Sequence, residues 1–247
     1  MNQAIFETGL GKRWQEVRER VDAACHVAGR DPSEVVILPV SKTFAPDVIR
    51  TAVALGLHRF GENKVQEIRS KFEPLVDCAI DWVMIGHLQT NKAKDVARLA
   101  SEVQSLDRLE LAEALHKRLQ IEGRALDVLV QVKTSTEETK YGLSPEQLPS
   151  FLDKLLAFDT LRVRGLMTLA MHSADAAIVR ACFRQLRELR DDATARGHDI
   201  PRLSMGMSGD FPLAIAEGAT EVRIGTAIFG ERPYPDSYYW PEAHEQA

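Results

Sequence analysis

The stretch "VVILPVSKTFAPDVIR", residues 35–50, contains the features that decide the fold. Its first six residues, 35–40, form an apolar run typical of a strand that is buried on both faces. Ser41, Lys42 and Thr43 follow directly, and Pro46 then marks the first turn of a helix. A buried strand followed closely by a helix is the repeating unit of an α/β protein with a parallel sheet.

The same alternation of strand and helix continues along the chain. The short apolar runs that predict strands lie at 35–40, 57–60, 81–86, 102–106, 127–133, 161–168, 202–207 and 220–225. Segments with helical periodicity lie between them, and several end in a glycine, such as Gly56, Gly123 and Gly197. Eight strands, each followed by a helix, in 247 residues favour a (β/α)8 barrel of the TIM type. A doubly wound open sheet is the alternative that the pattern leaves open.

An extra helix is predicted ahead of the first strand. Apolar residues recur at helical spacing within residues 1–30, and Gly29 ends that segment. No linker, repeat or low-complexity tract divides the rest of the chain. We therefore expect residues 1–247 to form a single domain, with a leading helix and a tail at 233–247.

The composition excludes several classes of function. A net charge of −5 without a Lys/Arg-rich block argues against a nucleic-acid partner. No apolar run is long enough to predict a membrane span or an export signal. Cys25, Cys78 and Cys182 lack the spacing of a zinc site, and their scatter favours the reducing cytoplasm. We expect a cytoplasmic protein with no metal site.

The turns after the last two predicted strands point to a phosphate group. In (β/α)8 barrels the active site lies at the carboxyl ends of the strands, and the loops after strands 7 and 8 often hold phosphate. Strand 7 ends with Gly206 and Ser208, ahead of Asp210, which is predicted to cap the next helix. Strand 8 ends with Gly225 and Thr226 before a short helical turn. Glycines admit a ligand close to the backbone, and hydroxyls and helix-start amides bind anions.

Lys42 follows strand 1 and is expected at the same end of the barrel. An amine that loses hydration at the mouth of an apolar barrel becomes a nucleophile for aldehydes, whereas an ordinary lysine keeps its amine in water. A reactive lysine opposite a phosphate cup predicts a ligand with both an aldehyde and a phosphate. Pyridoxal 5′-phosphate is the commonest cofactor of that kind, and a sugar phosphate in an aldolase is the alternative.

Arg223 lies two residues before Gly225 and therefore faces the same side of strand 8. Two orientations are open at this point. The side chain either points into the barrel as a fixed cation or forms a salt bridge outside it.

Six motifs, in this order, carry a resemblance to a known family. They are "VSKT" at 40–43, "FGENKVQE" at 60–67, "WVMIGHLQTNK" at 82–92, "RGLMTL" at 164–169, "LSMGMSGDF" at 203–211 and "VRIGTAIFG" at 222–230. With these motifs the chain resembles the pyridoxal phosphate homeostasis proteins, small proteins related to the N-terminal barrel of alanine racemase. The resemblance extends from about residue 10 to residue 232.

The resemblance implies a (β/α)8 barrel that carries pyridoxal 5′-phosphate as an internal aldimine, a Schiff base, on Lys42. It implies phosphate contacts from Ser208, Gly225 and Thr226. It also implies that Arg223 faces the pyridine nitrogen and that Asn63 of "FGEN" lies near the cofactor.

The resemblance further implies a non-catalytic monomer that buffers or delivers the cofactor in intracellular vitamin B6 homeostasis. Apo-enzymes that depend on pyridoxal phosphate are the implied recipients. A low-activity amino-acid racemase is the alternative. Alanine racemases add a carboxyl-terminal β-domain and a tyrosine base from a second subunit, whereas this chain ends soon after strand 8, and Tyr141 is its one tyrosine expected near the mouth.

Overall fold

The computed structural model describes residues 9–135, 137 and 141–231, so the predicted tail at 233–247 lies outside the described residues. The strands are β1 (Val36–Pro39), β2 (Arg59–Glu62), β3 (Asp81–Met84), β4 (Glu102–Leu106), β5 (Leu126–Gln131), β6 (Leu161–Met167), β7 (Arg202–Ser204) and β8 (Glu221–Ile224). They form one parallel sheet in the order β1-β8-β7-β6-β5-β4-β3-β2.

The end of β1 returns to β2 and brings the two edges of the sheet together. A parallel bridge joins Val40 to Gly61, and the backbone N–H of Ser41 donates to the carbonyl oxygen of Gly61 at 3.1 Å. The predicted (β/α)8 barrel is therefore confirmed, and the open-sheet alternative is wrong. A side chain at Gly61 would contact Leu38, Val40 and Ile85, so this glycine faces the barrel interior.

Helices surround the strands. The α-helices of the described residues are α1 (Gly9–Val27), α2 (Pro46–Ala54), α3 (Val65–Phe72), α4 (Ala93–Leu99), α5 (Leu109–Glu122), α6 (Leu148–Leu155), α7 (Ala176–Ala195), α8 (Phe211–Ala216) and α9 (Thr226–Phe229). Short 3-10 helices lie at Pro32–Glu34, Glu73–Cys78, Thr90–Lys92 and Pro145–Gln147. The extra helix predicted within residues 1–30 is α1. None of the described helices has the length and the apolar character that a membrane span requires.

The hydrophobic core lies between the outer face of the strands and the helices. The largest buried side chains in it are Phe60, Trp82, Phe183 and Phe211. The leading helix α1 packs on α8 and α9. Arg13 on α1 donates to the carbonyl oxygens of Ile228 at 2.9 Å and Phe229 at 3.2 Å, which supplies donors that α9 itself lacks.

A layer of charged side chains fills the barrel interior at the amino ends of the strands. Arg59 donates to Glu221 at 2.6 Å, and Arg202 donates to Glu102 at 2.9 Å. Burial would raise the pKa of Glu221, but the two arginines lower it below its ordinary value. Since both buried carboxylates are paired with guanidinium groups, this layer is a packed floor, and the carboxyl ends of the strands remain for a ligand.

Candidate functional site

The carboxyl ends of β1, β7 and β8 lie side by side. The backbone N–H of Val40 donates to the carbonyl oxygen of Ile224 at 2.9 Å, which joins β1 to β8. The N–H of Arg223 donates to the carbonyl oxygen of Gly206 at 2.9 Å, which joins β8 to the turn after β7. Lys42, half-buried and two residues beyond the contact with β8, therefore begins at the same rim as the two predicted phosphate turns.

Two glycines allow these turns to lie against their neighbours. A Cβ on Gly225 would lie 3.2 Å from the carbonyl oxygen of Val40. Gly206 has a φ of +94°, and a Cβ there would lie 2.6 Å from the Cβ of Ala214 on α8. Side chains at either position would push the strand ends apart or fill the space above them, so the glycines maintain a cradle at the rim.

The residues that follow the glycines offer anion-binding groups. Thr226, which is exposed, is the first residue of α9, and the first amides of a helix have no acceptor within that helix. Ser208, which is half-buried, lies in the turn after β7. Asp210 is the N-cap residue of α8 as predicted, but its side chain makes no capping hydrogen bond to the helix. Its carboxylate instead accepts from the N–H of Met207 at 2.5 Å and closes the turn that carries Ser208.

Arg223 points into the barrel. Its guanidinium donates to the hydroxyl of Ser204 and to the carbonyl oxygen of Thr168, both at 2.8 Å, and the residue is 4% exposed. Burial lowers the pKa of Arg223 to about 10, so the side chain is still protonated at neutral pH. The inward orientation is therefore the correct one of the two that the sequence left open, and it supplies a fixed cation below the rim.

Asn63 lies at the end of β2, beside β1, and is half-buried. A Cβ on Gly86 would collide with the backbone carbonyl of Asn63, so Gly86 lets the end of β3 lie against it. Further along the rim, Tyr141 is 56% exposed and stacks on His87, with ring centroids 3.8 Å apart. Burial lowers the pKa of His87, against the opposing effect of Asp107.

A buried network under the Lys42 turn is the part of the site that sequence reasoning missed. The hydroxyl of Ser41 donates to Glu62 at 2.6 Å. Lys71 donates to the carbonyl oxygen of Ser41 at 3.0 Å, to Glu62 at 2.8 Å and to Glu67 at 2.9 Å. The N–H of Thr43 donates to Glu67 at 2.6 Å. The spacing of Glu67 and Lys71 by four residues predicts a helical ion pair, but nothing local connects that pair to Ser41.

The turn itself adopts a conformation that needs support. Thr43 has a φ of +72°, in the left-handed region, which costs a non-glycine residue about 1 kcal/mol or more. The carbonyl oxygen of Ser41 accepts from the N–H of Phe44 at 3.2 Å as well as from Lys71. The contacts from α3 therefore hold a turn whose backbone is strained.

The two carboxylates of the network differ in acidity. Burial raises the pKa of Glu62 to about 7, which Lys71 and Ser41 offset only in part. Burial also acts to raise the pKa of Glu67, but Lys71 and the N–H of Thr43 lower it below its ordinary value. Glu62 Oε2 is buried and has no hydrogen-bond partner among the described residues, so it is the atom available to carry a proton.

The described residues contain no group of three or more His, Cys, Asp and Glu side chains that could hold a metal ion. Cys25, Cys78 and Cys182 are all buried free thiols. The groups that the rim offers a ligand are the amine of Lys42, the hydroxyls of Ser208 and Thr226, the backbone amides and the inner arginine.

Known proteins match most of this chain. Residues 15–233 match the family described as alanine racemase, N-terminal domain. A pyridoxal phosphate homeostasis protein from Aquifex aeolicus is 44% identical over 224 residues, which cover 90% of this chain and 98% of that protein. A protein of the same name from Pseudomonas aeruginosa is 42% identical over 219 residues, with 89% and 94% covered.

Two solved structures are similar to this chain in fold but differ in how similar they are in sequence. PipY of Synechococcus elongatus, whose structure has PLP bound, is 35% identical with a TM-score of 0.78, covering 87% of this chain and 100% of that one. Alanine racemase from Clostridium difficile 630 is 15% identical with a TM-score of 0.69, covering 89% of this chain and 58% of that one. At that identity the second likeness concerns the fold alone.

The raised pKa of Glu62 predicts how stability depends on pH. Between about pH 4.5 and pH 7 the folded state keeps a proton on Glu62 that the unfolded state has released. The wild type should therefore lose about 2 kcal/mol of stability relative to Glu62→Gln as the pH rises from about 5 to about 8. Urea unfolding at both pH values measures this difference. Glu73→Gln, at an exposed position, is the control, and its stability relative to the wild type should not change with pH. If the stability difference between Glu62→Gln and the wild type is equally independent of pH, the burial argument is contradicted.

Proposed function

Because the chain belongs to the pyridoxal phosphate homeostasis protein family, we propose that it binds pyridoxal 5′-phosphate as a Schiff base on Lys42 and holds it without catalysing a reaction. The resemblance drawn from the six motifs is confirmed by the identity of these relatives over about 90% of the chain. The observation that carries the proposal is the meeting, at one rim, of the Lys42 turn with the glycine turns after β7 and β8.

The donors at the rim fit the two functional groups of this cofactor. Ser208, Gly225 and Thr226 would hold the phosphate through hydroxyls and backbone amides, which suits a doubly charged anion. The neutral amine of Lys42 would add to the aldehyde carbon, and the carbonyl oxygen would leave as water to give a C=N bond. Relatedness supports this assignment, since PipY, solved with PLP bound, is 35% identical.

The inner cation would act on the electronic state of the bound ring. We assign Arg223 to the pyridine nitrogen and Asn63 to a further cofactor contact. Bound pyridoxal phosphate supplies an electron sink that works best when the ring nitrogen is protonated. A guanidinium that stays protonated at neutral pH opposes protonation of a neighbouring nitrogen and so weakens that sink.

Such a protein would serve intracellular vitamin B6 homeostasis by buffering or delivering the cofactor. We propose that the whole chain acts as one unit, a monomer in the cytoplasm, with apo-enzymes that depend on pyridoxal phosphate as recipients. The exposure of Thr226 supports this proposal, because a phosphate held there lies next to solvent and can leave the rim without unfolding of the barrel.

A low-activity amino-acid racemase is the second candidate, and the match of residues 15–233 to the alanine racemase N-terminal domain favours it. The relatives at 42–44% identity are named as homeostasis proteins, which favours the first candidate. Tyr141, the tyrosine expected near the mouth, stacks its ring on His87, which occupies one face of the ring.

We predict that protein mixed with one equivalent of pyridoxal phosphate absorbs visible light and that borohydride fixes a pyridoxyl group on Lys42. Lys42→Ala should lose both the band and the label because the reacting amine is gone, and it should keep the circular dichroism spectrum of the wild type because neighbouring residues hold the backbone of the turn. Lys64→Ala, which removes an exposed lysine after the adjacent strand β2, is the matched control and should keep both. Peptide mapping that finds the label on another lysine would defeat the assignment.

Loss of a phosphate contact should weaken binding selectively. Thr226→Val and Ser208→Ala should each raise the dissociation constant for pyridoxal phosphate about tenfold, since a hydrogen bond to a charged group is worth about 1.5 kcal/mol. Pyridoxal, which lacks the phosphate, should bind these variants as it binds the wild type. Thr194→Val on the exposed side of α7 is the control. An equal loss for both ligands would argue against a phosphate cup.

The loaded protein should not interconvert the enantiomers of alanine. Incubation with L-alanine followed by chiral chromatography should yield no more D-alanine than pyridoxal phosphate alone, because racemisation needs a second base besides Lys42, and Tyr141, the candidate, is stacked on His87. Rapid racemisation that disappears in Lys42→Ala would establish the second candidate instead.

A further inference from the structure

We propose that Glu62, Glu67 and Lys71 are positioning residues that hold the Ser41–Thr43 turn, so that Lys42 stays aimed at the cofactor and releases it slowly. The proposal rests on the assignment of pyridoxal phosphate to Lys42. In that assignment Glu62, Glu67 and Lys71 make no contact with the cofactor, but they determine how fast it is released.

Two charged side chains of this group are buried next to Lys42. Lys71 is 4% exposed and Glu62 is fully buried, although charged side chains are rarely buried unless they are paired. The barrel already has a paired charged layer at the amino ends of its strands. The second buried group lies at the carboxyl ends of the strands, next to Lys42. Its side chains do not pair with those of the layer at the amino ends.

The contacts show what the group does. Its members bind the residues on both sides of Lys42: Ser41 through its hydroxyl and its carbonyl oxygen, and Thr43 through its backbone N–H. The N–H of Ser41 is separately held by the carbonyl oxygen of Gly61 in β2. The backbone that carries Lys42 is thus fixed from β2 and from α3, which limits the directions in which Lys42 can extend.

Ionisation of Glu62 sets the strength of this hold. The side chain of Glu62 on β2 faces the hydroxyl of Ser41 from β1 and two titratable groups from α3, Glu67 and Lys71. Toward β3, the backbone carbonyl oxygen of Glu62 accepts from the N–H of Ile85. As a carboxylate it accepts charge-assisted hydrogen bonds from Ser41 and Lys71. A proton on Glu62 weakens both, because a neutral acid accepts hydrogen bonds less strongly. The hold on the turn should therefore loosen as the pH falls through about 7.

Release of the cofactor tests the proposal. Wild type and Glu62→Gln, each loaded with pyridoxal phosphate, are diluted rapidly into cofactor-free buffer, and loss of the visible band is followed at pH 6 and pH 8. Glutamine keeps the shape but never the charge, so Glu62→Gln should release about tenfold faster than the wild type at pH 8 and at a similar rate at pH 6. A ratio that does not change with pH would overturn the role of Glu62.

Two more variants separate positioning from folding. Glu67→Gln and Lys71→Met should speed release of the cofactor at both pH values. They should also shift the visible band, because the turn no longer holds Lys42 in one direction. Lys117→Met is the matched control, since Lys117 pairs with Glu113 at the same spacing of four residues but on the exposed face of α5. If Lys71→Met does not fold by circular dichroism, Glu62→Gln and Glu67→Gln decide the question.

Failure of the positioning role and failure of the proposed function would give different results. A wild type that carries no label on Lys42 would end the proposed function. A wild type labelled on Lys42, with variants that are less stable yet release the cofactor at the wild-type rate, would overturn the positioning role alone.

Discussion

The organising constraint of this molecule is the attachment of β1 to both of its neighbours at the carboxyl rim. Val40 donates to Ile224 in β8 at 2.9 Å, and Ser41 donates to Gly61 in β2 at 3.1 Å. Pro39, which pairs with Ile224 in the ladder, has no N–H to donate, so these two hydrogen bonds carry the pairing at the end of the strand. They close the barrel and also fix the backbone immediately before Lys42.

The barrel contains two buried groups of charges that work in different ways. At the floor, Glu102 and Glu221 are paired with Arg59 and Arg202, and the pKa of Glu221 is lowered. At the rim, Glu62 keeps a buried oxygen without a partner among the described residues, and its pKa is raised to about 7. The first arrangement is saturated and supports the fold, whereas the second remains able to change its charge near neutral pH.

The similarity to alanine racemase is evidence for the architecture, whereas the similarity to the homeostasis proteins is evidence for the family. A barrel of this kind hosts many unrelated activities, so a TM-score of 0.69 at 15% identity establishes architecture only. Membership follows from relatives at 42–44% identity that are themselves covered almost completely by the match. The chemistry then depends on the rim, where one amine, two glycine turns and an inner guanidinium lie on adjoining strands.

The sequence by itself determined the order of the elements and the strand ends at which the site residues lie. Apolar runs, caps and terminal glycines act over a few residues, so the sequence alone predicts that Lys42, Ser208 and Gly225 lie at one rim. Tertiary structure alone decided that Arg223 points inward, because its partners Ser204 and Thr168 lie 19 and 55 residues away along the chain.

The buried network under Lys42 likewise belongs to the tertiary structure. Ser41 lies 21 residues from Glu62 and 30 from Lys71, and these side chains meet only because β1 is paired with β2 and α3 packs behind them. Local patterns report the period and ends of an element, whereas partners so far apart along the chain are selected by the closing of the barrel.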